Sequence, residues 1–294
     1  MAGIVVGYDG SADAGAALEW AVREAWMLRV PLTVLLAWDR GHLPSALARA
    51  VEEEGEQATE EAVLRVLHTA VERAAGQRRP AELIEKVEHA DAARALLQAT
   101  AGADMLVLGL HGANRKQRLL AGNVADICLH RATVTTVVVR AGHLDQSGPV
   151  VVGVDGSAAS IQALRLAAGR ARARGAALRV VHAWTPVPAI YAGTNGFDEP
   201  VFEKAANVLL EHCVDQVREE TLGLHVEPVL VRDSPARALI RQSINAGLLV
   251  VGSHGHGALA EMLLGSASHH CVHHAACPVA VVRATDEAHA TGSG

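Results

Sequence analysis

The chain of 294 residues is half hydrophobic and only 3% aromatic, and its 26 Lys plus Arg are outnumbered by 32 Asp plus Glu, for a net charge of −6. That length fits two domains of the usual ~100–200 residues, and the negative balance argues against nucleic acid or an anionic membrane as the main partner, because both select basic patches. The apolar residues arrive in strand-sized blocks, none approaching the ~18 consecutive residues that span a bilayer. Met1-Ala2-Gly3-Ile4 enters directly on a strand pattern without a charged leader, so export is not expected. Four cysteines (Cys128, Cys213, Cys271, Cys277) without CxxC spacing fit free thiols in a cytoplasmic protein.

Residues 3–8 are a short apolar run ending in Asp9-Gly10-Ser11, the pattern of a buried strand followed by a helix N-cap. An Ala-rich helix over 12–29 follows, with Leu18, Val22 and Ala25 on one face. Then come a strand over 31–38 and a long charged helix over 46–75, whose acidic residues Glu52, Glu53, Glu54, Glu60 and Glu61 read as a solvated face. A strand over 81–87, a helix over 90–101, a strand over 104–109, a glycine loop, a helix over 124–131 and a strand over 133–140 complete the first half. Strands alternating with helices imply a parallel sheet covered on both faces. A short polar linker over 142–148 leads to the same order again, with strands over 150–154, 177–183, 225–231, 248–252 and 279–283. Ser234-Pro235 marks an N-cap and first helical position. The expected division is 1–143 and 149–286, with a loose tail over 287–294.

The two halves repeat more than their element order. Gly7-Tyr8-Asp9-Gly10-Ser11 is answered by Gly153-Val154-Asp155-Gly156-Ser157. Gly109-Leu110-His111-Gly112 with Gly122-Asn123 is answered by Gly252-Ser253-His254-Gly255 with Gly265-Ser266. In a doubly wound sheet a ligand sits outside the carboxyl ends of the strands where strand order reverses, which brings the first and fourth strands of each copy to one crevice. Asp155 is then expected to face the loop from Gly252 to Ser266, and Asp9 the loop from Gly109 to Asn123. Gly265 opens a helix with Ser266 and Ala267 in its first turn, where free N–H groups and the helix dipole attract phosphate oxygens. An aspartate accepts but does not donate, so Asp9 and Asp155 suit ribose hydroxyls or an adenine amino group. The pattern Gly-x2-Gly-x9-Gly is neither a Walker A loop nor a GxGxxG fingerprint.

These residues resemble the universal stress protein family. The resemblance rests on Val151-Val152-Gly153-Val154-Asp155-Gly156-Ser157, on Val250-Val251-Gly252-Ser253-His254-Gly255-His256-Gly257 with Leu263-Leu264-Gly265-Ser266, and on Cys277-Pro278-Val279. It covers nearly the whole chain, in a tandem form. It implies an α/β fold of two tandem Rossmann-like domains of the adenine-nucleotide alpha-hydrolase type, each a five-stranded parallel sheet with helices on both faces, the two halves packing as in a dimer. It implies ATP, with Mg2+ as counter-ion, held by the strand-one Asp, by backbone at the second strand end (Ala37 and Ala183) and by the glycine loops. It also implies a cytoplasmic regulator of stress or dormancy. Some members hydrolyse ATP slowly, yet none of the signature residues is a dedicated catalytic base, so no enzyme is expected. A homodimer and an unnamed protein partner are admitted. Two other readings stay open, a slow ATPase and a partner-recruiting scaffold with vestigial sites.

The copies are not identical. Asn123 stands where the pattern has Ser or Thr, and Arg115, Lys116 and Arg118 stand where the second copy has Ala258, Leu259 and Glu261. Those cations either neutralise a triphosphate or are ordinary loop charges. His111 and His254 are likewise either ligand contacts or polar loop residues. The run His269-His270-Cys271 with His273, His274 and Cys277 reads as a surface face with Cys271 and Val272 turned inward, and no metal site is expected from it. Trp38 and Trp184 are expected to pack rather than stack on a base.

Overall fold

Short runs of Val, Ile and Leu, buried on both faces, become central strands, and the Ala-rich stretches between them become helices narrow enough to lie close on the sheet. The computed structural model describes residues 3–38, 59–112, 124–142, 147–185, 199–255 and 264–283. The chain divides into two units, Met1–Gln146 with Cys277–Ala280, and Ser147–Ala276 with Val281–Gly294.

The first unit runs β1 (Ile4–Gly7), α1 (Ala12–Leu28), β2 (Leu32–Trp38), α2 (Thr59–Ala75), β3 (Leu83–His89), α3 (Ala92–Ala99), β4 (Met105–Gly109), α4 (Val124–Arg131) and β5 (Thr135–Val139). Its strands lie in the order β3-β2-β1-β4-β5, all parallel. The second unit runs β6 (Val150–Gly153), α5 (Ala158–Arg174), β7 (Leu178–Trp184), α6 (Glu199–Asp215), α7 (Arg218–Thr221), β8 (Val226–Arg232), α8 (Pro235–Gln242), β9 (Leu248–Gly252), α9 (Ser266–His274) and β10 (Val279–Val282). Its order is β8-β7-β6-β9-β10, with β6, β7, β8 and β9 parallel. In each unit the order reverses beside the first strand, between β1 and β4 and between β6 and β9, which sets the switch point of a doubly wound sheet.

In the first unit, Val5, Leu35, Leu106 and Leu108 meet Ala93, Leu96, Ala125 and Cys128 from α3 and α4 in one apolar cluster. On α1 the residues Leu18, Trp20, Ala21, Val22 and Ala25 are all buried. All four cysteines are buried and none is in a disulfide, and burial pushes the thiols of Cys128 and Cys271 up to about 12.

Several boundaries differ from the sequence expectations. The strand expected over 81–87 runs Leu83–His89, because parallel pairing with β2 sets its register from Leu32↔Leu83 to Trp38↔His89. It is an edge strand, and Glu85, Lys86 and Glu88 interrupt any apolar signal. The helix expected over 90–101 is only Ala92–Ala99, started by Asp91, whose carboxylate accepts the Arg94 N–H at 2.9 Å. Ser234 does occupy an N-cap and Pro235 the first turn, but the serine side chain makes no capping bond. Instead Asp233 accepts the Ser234 N–H at 2.8 Å. The one-turn helix α7 was not anticipated. Of the long helix expected over 46–75, only Thr59–Ala75 is described, and residues 46–58 and the expected tail 287–294 lie outside the described residues.

Candidate functional site

Each unit builds its site where the first strand stops. After β1 the chain turns through Asp9-Gly10-Ser11, and after β6 through Asp155-Gly156-Ser157. Gly10 and Gly156 have φ of +79° and +84°, a region that excludes most side chains. The aspartate locks the turn. Asp9 Oδ1 accepts the Ser11 N–H at 2.9 Å, and Ser11 Oγ accepts the Ala14 N–H at 3.1 Å to cap α1. In the second unit Asp155 Oδ1 accepts both the N–H and the hydroxyl of Ser157, at 3.0 and 2.6 Å. Ser157 Oγ accepts the Ser160 N–H at 3.3 Å to cap α5.

The second carboxylate oxygen faces the fourth strand's loop, as the sequence predicts. A Cβ placed on Gly112 would sit 3.1 Å from Asp9 Oδ2, and one on Gly255 would overlap Asp155 Oδ2. The other glycines serve a different purpose. A Cβ on Gly109 would lie 2.6 Å from the Ala14 nitrogen, and one on Gly252 would lie 3.0 Å from the Ala159 carbonyl carbon. Gly7 and Gly153 are hemmed in by Leu96 with Leu108 and by Leu239, respectively. These four let helices press onto strand ends, so part of the glycine signal is packing rather than approach to a phosphate.

The loop residues divide in the same way. Leu110 and Ser253 are each 1% exposed, and their N–H groups go to Val139 and Val282 carbonyls at 3.1 and 2.7 Å. Ser253 O accepts the Gly265 N–H at 2.7 Å, which hangs the start of α9 on the end of β9. Ser268 Oγ donates to Gly252 O at 2.6 Å and strengthens that joint. Gly265 is the N-cap of α9 and provides no side-chain cap. The first-turn N–H groups of Ser266, Ala267 and Ser268 therefore point out of the helix end, beside the loop that carries Gly255. His254 is steered by the Ser253 hydroxyl, 2.8 Å from its Nδ1.

Three contributions escape sequence reading. Asp13, in the first turn of α1, accepts the His111 N–H at 3.0 Å and meets His111 Nδ1 at 2.8 Å with one oxygen, and accepts the Ala141 N–H at 2.9 Å with the other. Burial alone would raise its pKa, but the bonds from Ala141 and His111 outweigh it and hold the carboxyl below its ordinary range. His182 Nδ1–H donates to the Val154 carbonyl at 2.8 Å, just before Asp155. Arg73 on α2 acts on Tyr8, and Cys213 on α6 meets the Asp155-Gly156 turn. Tyr8 is raised by burial, pulled down by Arg73 and pushed up by Asp9. Cys213 is raised by burial and then by the Asp155 charge, partly offset by the Gly156 N–H.

Ala37 and Ala183 sit at the ends of β2 and β7, one residue before Trp38 and Trp184. Trp38 packs on His89 with ring centroids 4.5 Å apart, and Arg232 lies 5.9 Å over the Trp184 ring. Both tryptophans thus pair with the neighbouring strand. Arg115, Gly122, Asn123 and His256 lie outside the described residues. A groove of about 670 Å³ between α3 and α4, lined by Asp91, Arg94, Leu97, Asp126, Ile127 and His130 among others, contains none of the expected ligand residues. Among the described residues no helix is long and apolar enough to cross a membrane.

The model of the universal stress protein family matches the chain twice, over residues 2–140 and 147–283. The universal stress protein Rv2005c of Mycobacterium tuberculosis is 33% identical, over 96% of this chain and 97% of its own. A second protein of that organism, universal stress protein Rv2623, is 32% identical over 96% of each chain. The crystal structure of a universal stress protein from Archaeoglobus fulgidus DSM 4304 superposes with a TM-score of 0.65 at 21% identity, covering 97% of both chains, and so shares the fold. The chain belongs to the universal stress protein family, with two copies of its domain in tandem.

Proposed function

We propose that this tandem universal stress protein binds ATP at the switch point of each unit, as a ligand that selects a conformation or an assembly rather than as a substrate. One observation carries the reading. The Asp155 turn and the open first turn of α9 converge on Gly255, which is tight against the carboxylate. That arrangement offers acceptors for a nucleoside and N–H donors for phosphates within one crevice. The Asp155 oxygen that holds Ser157 is committed to the turn, which supports a binding role over one as a general base. Mg2+ enters as the counter-ion of the triphosphate, and the setting is a cytoplasmic stress or dormancy response. A ligand shifts a conformational balance only through unequal affinity for the two states, so regulation requires an ATP-preferring form.

Mass spectrometry of nucleotide released from the freshly purified, denatured chain tests the proposal. Close to two ATP per chain supports both sites, and about one supports the second unit alone. Mostly ADP favours slow hydrolysis. No nucleotide, together with no uptake of added ATP and Mg2+, overturns the reading and leaves a partner-binding scaffold.

A further inference from the structure

The sheet of the first unit ends on β3. The Leu32 N–H donates to the Glu82 carbonyl at 2.8 Å, and the Ala90 N–H to the Trp38 carbonyl at 3.1 Å. In the parallel register between those two bonds, Ile84, Lys86 and Glu88 turn their backbone N–H and C=O groups toward β2. Leu83, Glu85, Val87 and His89 turn theirs outward, where they meet no backbone partner among the described residues. Ile84, Lys86 and His89 are exposed and the other positions of β3 are partly buried. Such a row of outward groups is a template for a further strand. The matching edge of the second unit is closed. There the Leu178 N–H donates to the His225 carbonyl at 2.9 Å, so in the register Val180↔Pro228 the outward residues of β8 include Pro228. That proline is exposed and has no N–H to offer, which keeps an edge strand from pairing. Glu85 holds the same third position on β3 that Pro228 holds on β8.

We propose that β3 pairs antiparallel with β3 of a second copy of this chain, in the register that sets Val87 opposite Val87. Side chains alternate between the faces of a strand, so a two-fold axis through the edge brings together only residues of one face. With the axis at Val87, Lys86 lies opposite Glu88 of the second copy, and this pair occurs twice. Glu85 lies opposite His89, also twice. Glu85, Val87 and His89 are the residues whose outward groups exchange the hydrogen bonds, and Lys86 and Glu88 fall at the non-hydrogen-bonded sites, where side chains come closer. Lys86 Nζ stands 3.8 Å from Glu88 Oε1 of its own strand, so the pairing completes a ring of four alternating charges. An axis at Glu85, Lys86 or Glu88 instead sets two like charges directly opposite, which is unfavourable. An antiparallel neighbour on the edge of a parallel sheet is a common addition. Pro228 closes the other edge, so the pairing stops at two copies and does not run on into a fibre. The interface uses none of the residues proposed to hold nucleotide, so either proposal can fail alone.

Sedimentation equilibrium of the full chain over a range of concentrations, without nucleotide, tests it. The wild type is expected to show a monomer–dimer equilibrium. E85P, which places a proline at an outward-facing N–H as Pro228 does in β8, is expected to abolish the dimer. K86E and E88K are each expected to weaken it at least about tenfold, and K86E/E88K, which exchanges the two charges, to restore it to within about threefold of the wild type. A wild-type chain that stays monomeric up to about 1 mM overturns the proposal. So does a dimer that persists in E85P, or one that does not respond to K86E and E88K. Should E85P fail to fold, the charge exchange decides. Recovery in K86E/E88K after loss in both single variants supports the register, and no recovery overturns it.

Discussion

The two crevices share a backbone plan but are fastened by different atoms. In the first unit a single carboxylate, Asp13, ties the start of α1 to the loop after β4 and to Ala141, two residues past β5. In the second unit Ala159 stands at the matching place on α5, and Ser268, where the first unit has Ala125, makes a joint from the other side by donating to Gly252 O. The packing is tighter where the carboxylate acts, since a Cβ on Gly109 meets backbone at 2.6 Å against 3.0 Å on Gly252. One duplicated fold thus keeps the Asp-Gly-Ser turn that faces the glycine after the fourth strand and lets its outer fastening drift. What both copies share is the turn on which the proposed site rests, and what differs is a structural joint made by interchangeable means.

Exchanging the fastenings tests that division, and the largest effect falls on the tight glycine. Gly109→Ala is expected to destabilise the first unit by about 3 kcal/mol and Gly252→Ala the second by about 1 kcal/mol, following the usual cost of overpacking; urea unfolding of the two variants measures the gap. Asp13→Asn is expected to cost about 2 kcal/mol at neutral pH, since the His111 and Ala141 N–H groups lose a charged acceptor. Because the folded pKa of Asp13 lies below the ordinary 3.8, its contribution is fully present above that value and lost as pH falls through the lower folded value. Acid unfolding of wild type and Asp13→Asn should therefore converge below pH 3.8. At the shared part of the site, Asp155→Glu or Gly265→Ala is expected to weaken ATP binding at least about tenfold, or 1.4 kcal/mol, whereas Asn123→Ser changes it by less than about threefold; unchanged affinity in both of the former removes the pocket assignment. The smallest effect is a gain. Arg29 ends α1 at φ +56°, where Gly175 ends α5 at +62°, so Arg29→Gly should stabilise the first unit by about 1 kcal/mol, read as a raised melting temperature.

Much of this was legible in the chain before any coordinates. Duplication, the order of elements along the chain, the cap after the first strand and the facing of Asp155 toward the loop of Gly255 follow from local patterns that the fold leaves intact. The edge strand β3 was misplaced because its charged residues hide it and its register comes from β2. Asp13 passed unnoticed because its partners lie 98 and 128 residues away, and a first-turn aspartate ordinarily needs no partner beyond the helix dipole. Glycine was overread, since one residue type answers both a ligand's approach and a helix's.

The buried thiols carry a consequence for chemistry in solution. A protonated, enclosed sulfur is a poor nucleophile, so Cys128, Cys213 and Cys271 stay inert toward oxidants and alkylating reagents while the chain is closed. Any modification they acquire is a record of opening. Cys128 keeps that record for the first unit, and Cys213 and Cys271 keep it for the second, giving the molecule an internal clock for the breathing of each half.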